Sequence, residues 1–457
     1  MNDMGKDLWL ILPQIIVLLT AATALVFTMF YKHRGSLIAV IIGMLAATVL
    51  TLTTLKQYHT AFSETFRIDA LSQWAVLILC PSVILISLLV RDELKDTPRE
   101  GTVYSLLAFS VLGSLLLAGS GDIMFLVLGL LISSLSGFAL AAHPKTNAAT
   151  EGALKYFVYG SVAGAVMIFG LTYWVGMTGS TLLSSLQKLS TSPYILVFGF
   201  IALLAGMGYA ASIFPFHFWT PDTFEGAPVS IAAHLSVIPK IGALFALAQV
   251  MKEVPANGSI SLIIAITAVL SMTYGNIVAL WQNNVVRLLA YSTVAQAGYF
   301  LIAITVFKMG VLATPALVVF ALAYAAMNIG AFAIVQWAGE KLDHFNGLGK
   351  VHPVSSIGMT IFLFSLVGIP PLAGFAGKFL LFGAAINNGY GWLAIAAIIN
   401  SVLSLTVYLR IIIPMYSKEA AVINKPAFKT VVVWKIAVVV TVLAGIGVQW
   451  LLKYIQV

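Results

Sequence analysis

Of 457 residues, 60% are hydrophobic and only 9% are charged, against the roughly 25% charge that wets the surface of a soluble domain. Lipid must cover most of such a chain, which excludes a soluble enzyme and a nucleic-acid binder despite a net charge of +8. The single cysteine, Cys80, lies in an apolar run. It allows neither an internal disulfide nor a multi-thiolate metal or iron–sulfur site, and reads as a packing residue.

A spanning helix needs about 20 mostly apolar residues. The run at 8–30 is longer than the apolar stretch of a cleavable signal, so it reads as the first transmembrane helix. Further runs lie near 36–55, 70–90, 104–120, 122–142, 154–177 and 194–214. They continue near 228–251, 259–281, 286–307, 310–338, 354–388, 391–416 and 430–452. The chain is therefore expected to be an all-α polytopic membrane protein of about fourteen helices in one transmembrane domain. Fifteen Lys and Arg residues, among them Lys32, Arg91, Lys155, Arg287, Lys341 and Lys418, fall in one set of loops and seven in the other. The positive-inside rule then puts both termini on the non-cytoplasmic side of an energy-coupling membrane, such as a bacterial inner membrane. The charge cluster from Arg91 to Asp96 reads as a solvated loop.

Two lysines belong to neither set. Lys240, in AAHLSVIPKIGALFAL, and Lys378, in LVGIPPLAGFAGKFLLFGAA, fall within apolar runs. A charge at the bilayer centre costs about 2.5–3.5 kcal/mol on insertion scales, so such residues are functional candidates. The alternative is a snorkelling amine that reaches the headgroups. Burial disfavours the charged form of an amine, so an enclosed lysine can exchange its proton as nearby charges change. His234 precedes Lys240 by six residues, which on a helix is about 9 Å along the axis and about 120° around it. Another side chain or water would have to join them, and a satisfied core histidine is the competing reading.

Helix breakers form the other signal. Pro215 interrupts the seventh run and Pro370–Pro371 the twelfth. Proline removes a backbone donor, and freed backbone inside a membrane is tolerated where protein or water covers it. Breaks in two corresponding halves suggest an inverted repeat with an ion path at the breaks. No Walker loop, dinucleotide fingerprint or Cys/His metal spacing occurs, so no cofactor is expected in this chain. Gly160 and Gly164 fit GxxxG and read as helix packing.

Four stretches carry a resemblance. HFWTPDTFEGAPVSIAAHLSVIPKIG (217–242) closely resembles the signature of subunit N of respiratory complex I, the proton-pumping NADH–quinone oxidoreductase. EGALKYFVYGS (151–161), VRLLAYSTVAQAGY (286–299) and LVGIPPLAGFAGKFLLF (366–382) are similar to further stretches of that subunit. The Trp-Thr-Pro-Asp form favours subunit N over its two larger relatives, and the long lateral helix of the largest is not expected. The resemblance implies two inverted five-helix repeats, at 101–255 and 256–416, between an N-terminal unit at 1–100 and a last helix at 417–457. It implies discontinuous seventh and twelfth helices, and a path of buried charge to which Lys240 and Lys378 belong and which His234 borders.

Two positions depart from that pattern. The resemblance implies a glutamate in the fifth helix, where Leu131 stands, and a lysine before the seventh break, where Ala210 stands. Losing one member of a buried pair strands the other at about 3–5 kcal/mol, so a joint loss is coherent. Ser133, Ser134, Ser212 and Tyr209 lie nearby in sequence, but hydroxyls do not store charge. The expected role is an antiporter-like membrane-arm subunit with a degenerate first half-channel. Other membrane-arm subunits and lipid would be its partners, and quinone and electron donor would bind elsewhere in the assembly. The alternatives are a non-pumping scaffold, a subunit of a multisubunit cation/proton antiporter or membrane-bound hydrogenase, and a stand-alone transporter.

Overall fold

The computed structural model describes residues 2–30, 33–95, 97, 99–417, 419 and 425–455. Lys32, Lys418 and Asp96 lie outside the described residues. The N-terminal part comprises α1 (Asn2–Leu10), α2 (Leu12–Met29), α3 (His33–Thr53) and α4 (Ala70–Glu93). Next come α5 (Glu100–Ala118), α6 (Ile123–Ala141), α7 (Asn147–Thr178), α8 (Pro193–Ala210), the short α9 (Trp219–Gly226) and α10 (Val229–Glu253). The series repeats with α11 (Gly258–Ala279), α12 (Val285–Thr305), α13 (Ala313–Ala338), the one-turn α14 (Leu348–Val351), α15 (Pro353–Val367), α16 (Ala373–Asn387) and α17 (Gly391–Ser417). It closes with α18 (Phe428–Ile446) and α19 (Val448–Ile455).

Thirteen of these helices are long and apolar enough to cross a membrane. The 15-residue α15 and α16 together make one further, broken crossing, which gives the expected fourteen. The fourth crossing from α5 is broken between α8 and α9, and the fourth from α11 is broken between α15 and α16. Five is odd, so the second set of crossings starts on the opposite face from the first. That arithmetic makes the repeat inverted.

Polar caps fix where several helices begin. Asp69 and Ser72 form a reciprocal capping box on α4, and Asp122 accepts from the Met124 amide at 2.6 Å on α6. Asn257 and Asn284 accept the first amides of α11 and α12. Two expected single helices are divided: 8–30 at Ile11, ahead of the donor-less Pro13, and 430–452 at Gly447. A hairpin of β1 (His59–Ala61) and β2 (Phe66–Ile68) occupies a segment the hydropathy runs left as a loop. It is fastened by Arg67–Glu253 at 2.9 Å.

α10 runs through the middle of the protein. It is apolar on every side, and each residue from Val229 to Met251 is buried. Its first free amides, at Val229 and Ser230, donate to the Glu93 carboxylate of α4 at 2.8 and 2.9 Å. Cys80 is buried on α4, as expected of a packing residue.

The twelfth break depends on close approach. A Cβ on Gly374 would stand 1.7 Å from the Ser365 carbonyl oxygen, whereas one on Gly383 would meet nothing within 4 Å. Gly374→Ala should therefore lower the stability of the detergent-purified protein by about 1–3 kcal/mol through overpacking. Gly383→Ala on the same helix should leave it unchanged or raise it by about 0.5–1 kcal/mol. Thermal unfolding of the two variants side by side checks this, and equal midpoints would refute the close-packed break.

Candidate functional site

The two intramembrane lysines sit on either side of α12. Lys240 is 1% exposed and Lys378 2%, so both amines are sealed by protein and the snorkelling alternative is removed. Lys240 Nζ donates to Thr293 Oγ1 of α12 at 2.5 Å, and lies 5.6 Å from the centre of the Phe224 ring of α9. Lys378 is better supplied. Its Nζ donates to the carbonyls of Leu366 and Val367 at 2.9 and 3.0 Å and to Ser401 Oγ at 3.0 Å, and stands 3.8 Å over the Tyr299 ring.

The Leu366 and Val367 carbonyls have a local origin. α15 ends at Val367, Gly368 takes a left-handed φ of +98°, and Pro370 and Pro371 have no amide to offer. The last carbonyls of a helix lack intrahelical donors. An ammonium from the next half-helix fills that need and meets the negative end of the helix dipole. The break after α8, which contains Pro215, is served by backbone: the Ser212 amide donates to the Tyr209 carbonyl at 3.0 Å and the Ile213 amide to Gly208 at 2.7 Å, and the neutral Trp219 indole adds a second donor to Tyr209 at 3.0 Å.

Buried polar groups lie between the lysines. Ser292 Oγ and Tyr408 OH are 2.6 Å apart, and Gln296 Nε2 donates to Tyr408 OH at 3.4 Å and to the Leu366 carbonyl at 3.2 Å. That carbonyl is also a partner of Lys378. Tyr324 of α13 donates to the Ser236 carbonyl at 2.9 Å. Ser401 is 3.0 Å from Tyr299 OH. Ser292 and Gln296 are four residues apart on one face of α12, inside an otherwise apolar run. That spacing was a readable signal, although the sequence reading singled out neither residue.

His234 is buried away from this seam. Its Nε2 pairs with Ser110 Oγ of α5 at 2.8 Å, and its Nδ1 has no partner among the described residues. The roughly 120° between it and Lys240 turns it toward α5, so it is not drawn in among the seam groups. His217, which sequence reasoning passed over as part of a signature, is also buried, and among the described residues its Nδ1 has no partner. Among the described residues no group of three or more His, Cys, Asp or Glu side chains could hold a metal ion.

A family model described as "NADH:quinone oxidoreductase/Mrp antiporter, TM" matches residues 120–404. The chain is 35% identical over 442 residues to the F(420)H(2) dehydrogenase subunit N of Methanosarcina mazei, covering 90% of this chain and 89% of the relative. The chain belongs to this family. It is also 35% identical to an NADH-quinone oxidoreductase subunit N of Streptomyces griseus, with 97% of each covered. In fold it matches a chain of respiratory complex I from Thermus thermophilus, with a TM-score of 0.85, 27% identity and coverage of 96% of this chain and 98% of that one. A chain of the Mrp complex from a Dietzia species matches in fold alone, with a TM-score of 0.86, 17% identity and coverage of 99% and 96%. This is thus an integral, antiporter-type membrane subunit of the subunit N kind.

The two positions singled out as departures differ in exposure in this chain. Ala210 is buried as the last residue of α8. Leu131 is 48% exposed, on the outward face of α6, while Ser133 and Ser134 fill the inward one. Two residues along a helix is about 200° of rotation, so a carboxylate at 131 would point out of this chain.

The two lysines differ in what their removal leaves behind. Lys240→Met replaces a buried amine that has one side-chain acceptor, and should leave the thermal midpoint unchanged or raise it. Lys378→Met strips the side-chain donor from the Val367 carbonyl and leaves the Leu366 carbonyl to Gln296 alone, and should cost about 1–3 kcal/mol. Thermal unfolding of both variants checks the contrast; a larger loss from Lys240→Met would reverse the assignment.

Proposed function

We propose that this subunit moves protons within a donor:quinone oxidoreductase of the complex I kind, with Lys240 and Lys378 as exchangeable sites joined across α12. The observation that carries this reading is two sealed amines that both contact α12, Lys240 at Thr293 and Lys378 over Tyr299, with buried polar groups of that helix beside them. The amine of Lys378 touches the Leu366 carbonyl that Gln296 also touches, and Gln296 reaches Tyr408 and through it Ser292. Buried ionisable groups are costly, and in membranes they mark relays by default. The partners would be other membrane-arm subunits and lipid, while the electron donor and quinone would bind elsewhere in the assembly. By name, relatives of equal identity serve F420H2 and NADH. That supports a membrane subunit whose work does not depend on the donor. The basic loops favour termini on the non-cytoplasmic side, in a bacterial inner membrane.

A second reading is a scaffold that holds the assembly together without conducting. It is favoured by Ala210, which offers no titratable group at the seventh break. The two readings separate in vesicles that hold the assembled complex. Under the relay reading, Lys240→Ala and Lys378→Ala should each lower donor-driven proton uptake by at least about threefold, with uncoupled electron transfer kept within about twofold. Proton uptake unchanged in both variants would leave the scaffold.

A further inference from the structure

An exchangeable lysine has to be held in two chemical forms, and the partners of Lys378 differ in which form they allow. As an ammonium it has three N–H donors and no acceptor. Three acceptors meet it, the carbonyls of Leu366 and Val367 at 2.9 and 3.0 Å and Ser401 Oγ at 3.0 Å, so each N–H has one partner. The face of the Tyr299 ring, 3.8 Å from Nζ, is negative and suits the same form. The charged state is fully matched.

The neutral amine is harder to hold. It keeps two N–H donors and gains a lone pair, which needs a donor of its own. A carbonyl only accepts, and the ring face is negative, so a lone pair turned toward Leu366, Val367 or Tyr299 is opposed. A buried polar atom left without a partner is costly. Ser401 of α17 differs, because a hydroxyl both donates and accepts. Its Oγ is 3.0 Å from Tyr299 OH, and either oxygen can be the donor. Tyr299 OH has a further acceptor in the Ala397 carbonyl at 3.2 Å. Two arrangements of the same atoms follow. With Lys378 charged, Nζ donates to Ser401, Ser401 to Tyr299, and Tyr299 to the Ala397 carbonyl. With Lys378 neutral, Tyr299 donates to Ser401 and Ser401 to the lone pair of Nζ.

Resting on the relay reading, we infer that Ser401 is the positioning residue that lets Lys378 give up and regain its proton, by reversing its hydrogen bond to the amine with Tyr299 as its counterpart. The proton that leaves Nζ is the one the relay carries. Ser401 and Tyr299 keep theirs, and their hydroxyls turn with no covalent bond made or broken. The reversal needs no movement of a helix, because every partner already stands at hydrogen-bond distance.

The test uses vesicles holding the assembled complex, with donor-driven proton uptake and uncoupled electron transfer read together. Ser401→Ala leaves two carbonyls and the ring to hold the cation but removes the donor for the neutral amine. It should lower uptake by at least about threefold while electron transfer stays within about twofold. Ser401→Thr returns the hydroxyl at a partly buried position, and should recover at least about half of the uptake. In a Lys378→Ala background, Ser401→Ala should lower uptake no further, because residues acting through one group are not additive. If Ser401→Ala fails to assemble, Ser401→Cys keeps the bulk with only a weak donor and carries the same expected loss. Full uptake in Ser401→Ala beside a loss in Lys378→Ala overturns the Ser401 assignment and leaves the relay standing. A Ser401→Thr variant as impaired as Ser401→Ala, or a further loss in the Lys378→Ala background, likewise overturns it and reduces Ser401 to packing. No loss in Lys240→Ala, Lys378→Ala or Ser401→Ala removes the relay itself.

Discussion

A helix cannot be cut inside a membrane unless something replaces its lost hydrogen bonds, and that constraint organises this protein. At the twelfth crossing, Gly368, Pro370 and Pro371 end α15 and leave its last carbonyls without donors. Lys378 of the following half-helix takes the Leu366 and Val367 oxygens. Lysine and break thus justify each other. The carbonyls hold the amine in place, and the amine makes the break tolerable. The surrounding packing is tight for the same reason: Gly374 lies against Ser365, and Gly445 of α18 lies against the Pro371 carbonyl.

The seventh crossing meets the same constraint with different chemistry. α8 stops at Ala210, and the Trp219 indole donates to the Tyr209 carbonyl. An indole can donate to a carbonyl, but it carries no exchangeable charge. The two halves share one architecture, so the architecture does not require charge at both breaks. Where charge does occur, at Lys240 and Lys378, the wholly buried α10 and the well-covered α12 and α13 enclose it.

Buried polar groups cost little only when their partners are in place. The groups between the lysines come from α12, α13 and α17, and several serve two partners at once. Tyr408 meets both Ser292 and Gln296, and the Leu366 carbonyl meets both Gln296 and Lys378. Such sharing fixes the rotation of each helix about its axis, because a turned helix would strand several groups together. The seam therefore sets the packing as well as offering positions between which a proton can move.

The number of crossings, the two breaks and the two lysines out of place were all legible in the sequence, because apolar run length, proline and isolated charge are local properties. The facing of each helix was not. Lipid and protein interior are equally apolar, so hydropathy cannot tell which side of a crossing is buried. Leu131 and Ser133 lie in one apolar run, yet one points outward and the other in. Thr293, Gln296 and Tyr408 gained their meaning from partners 53 to 112 residues away. The sequence by itself determined where the chain crosses and where it must break. Tertiary structure decided which polar groups meet, because a hydrogen bond depends on the rotation and contact of helices that no single segment encodes.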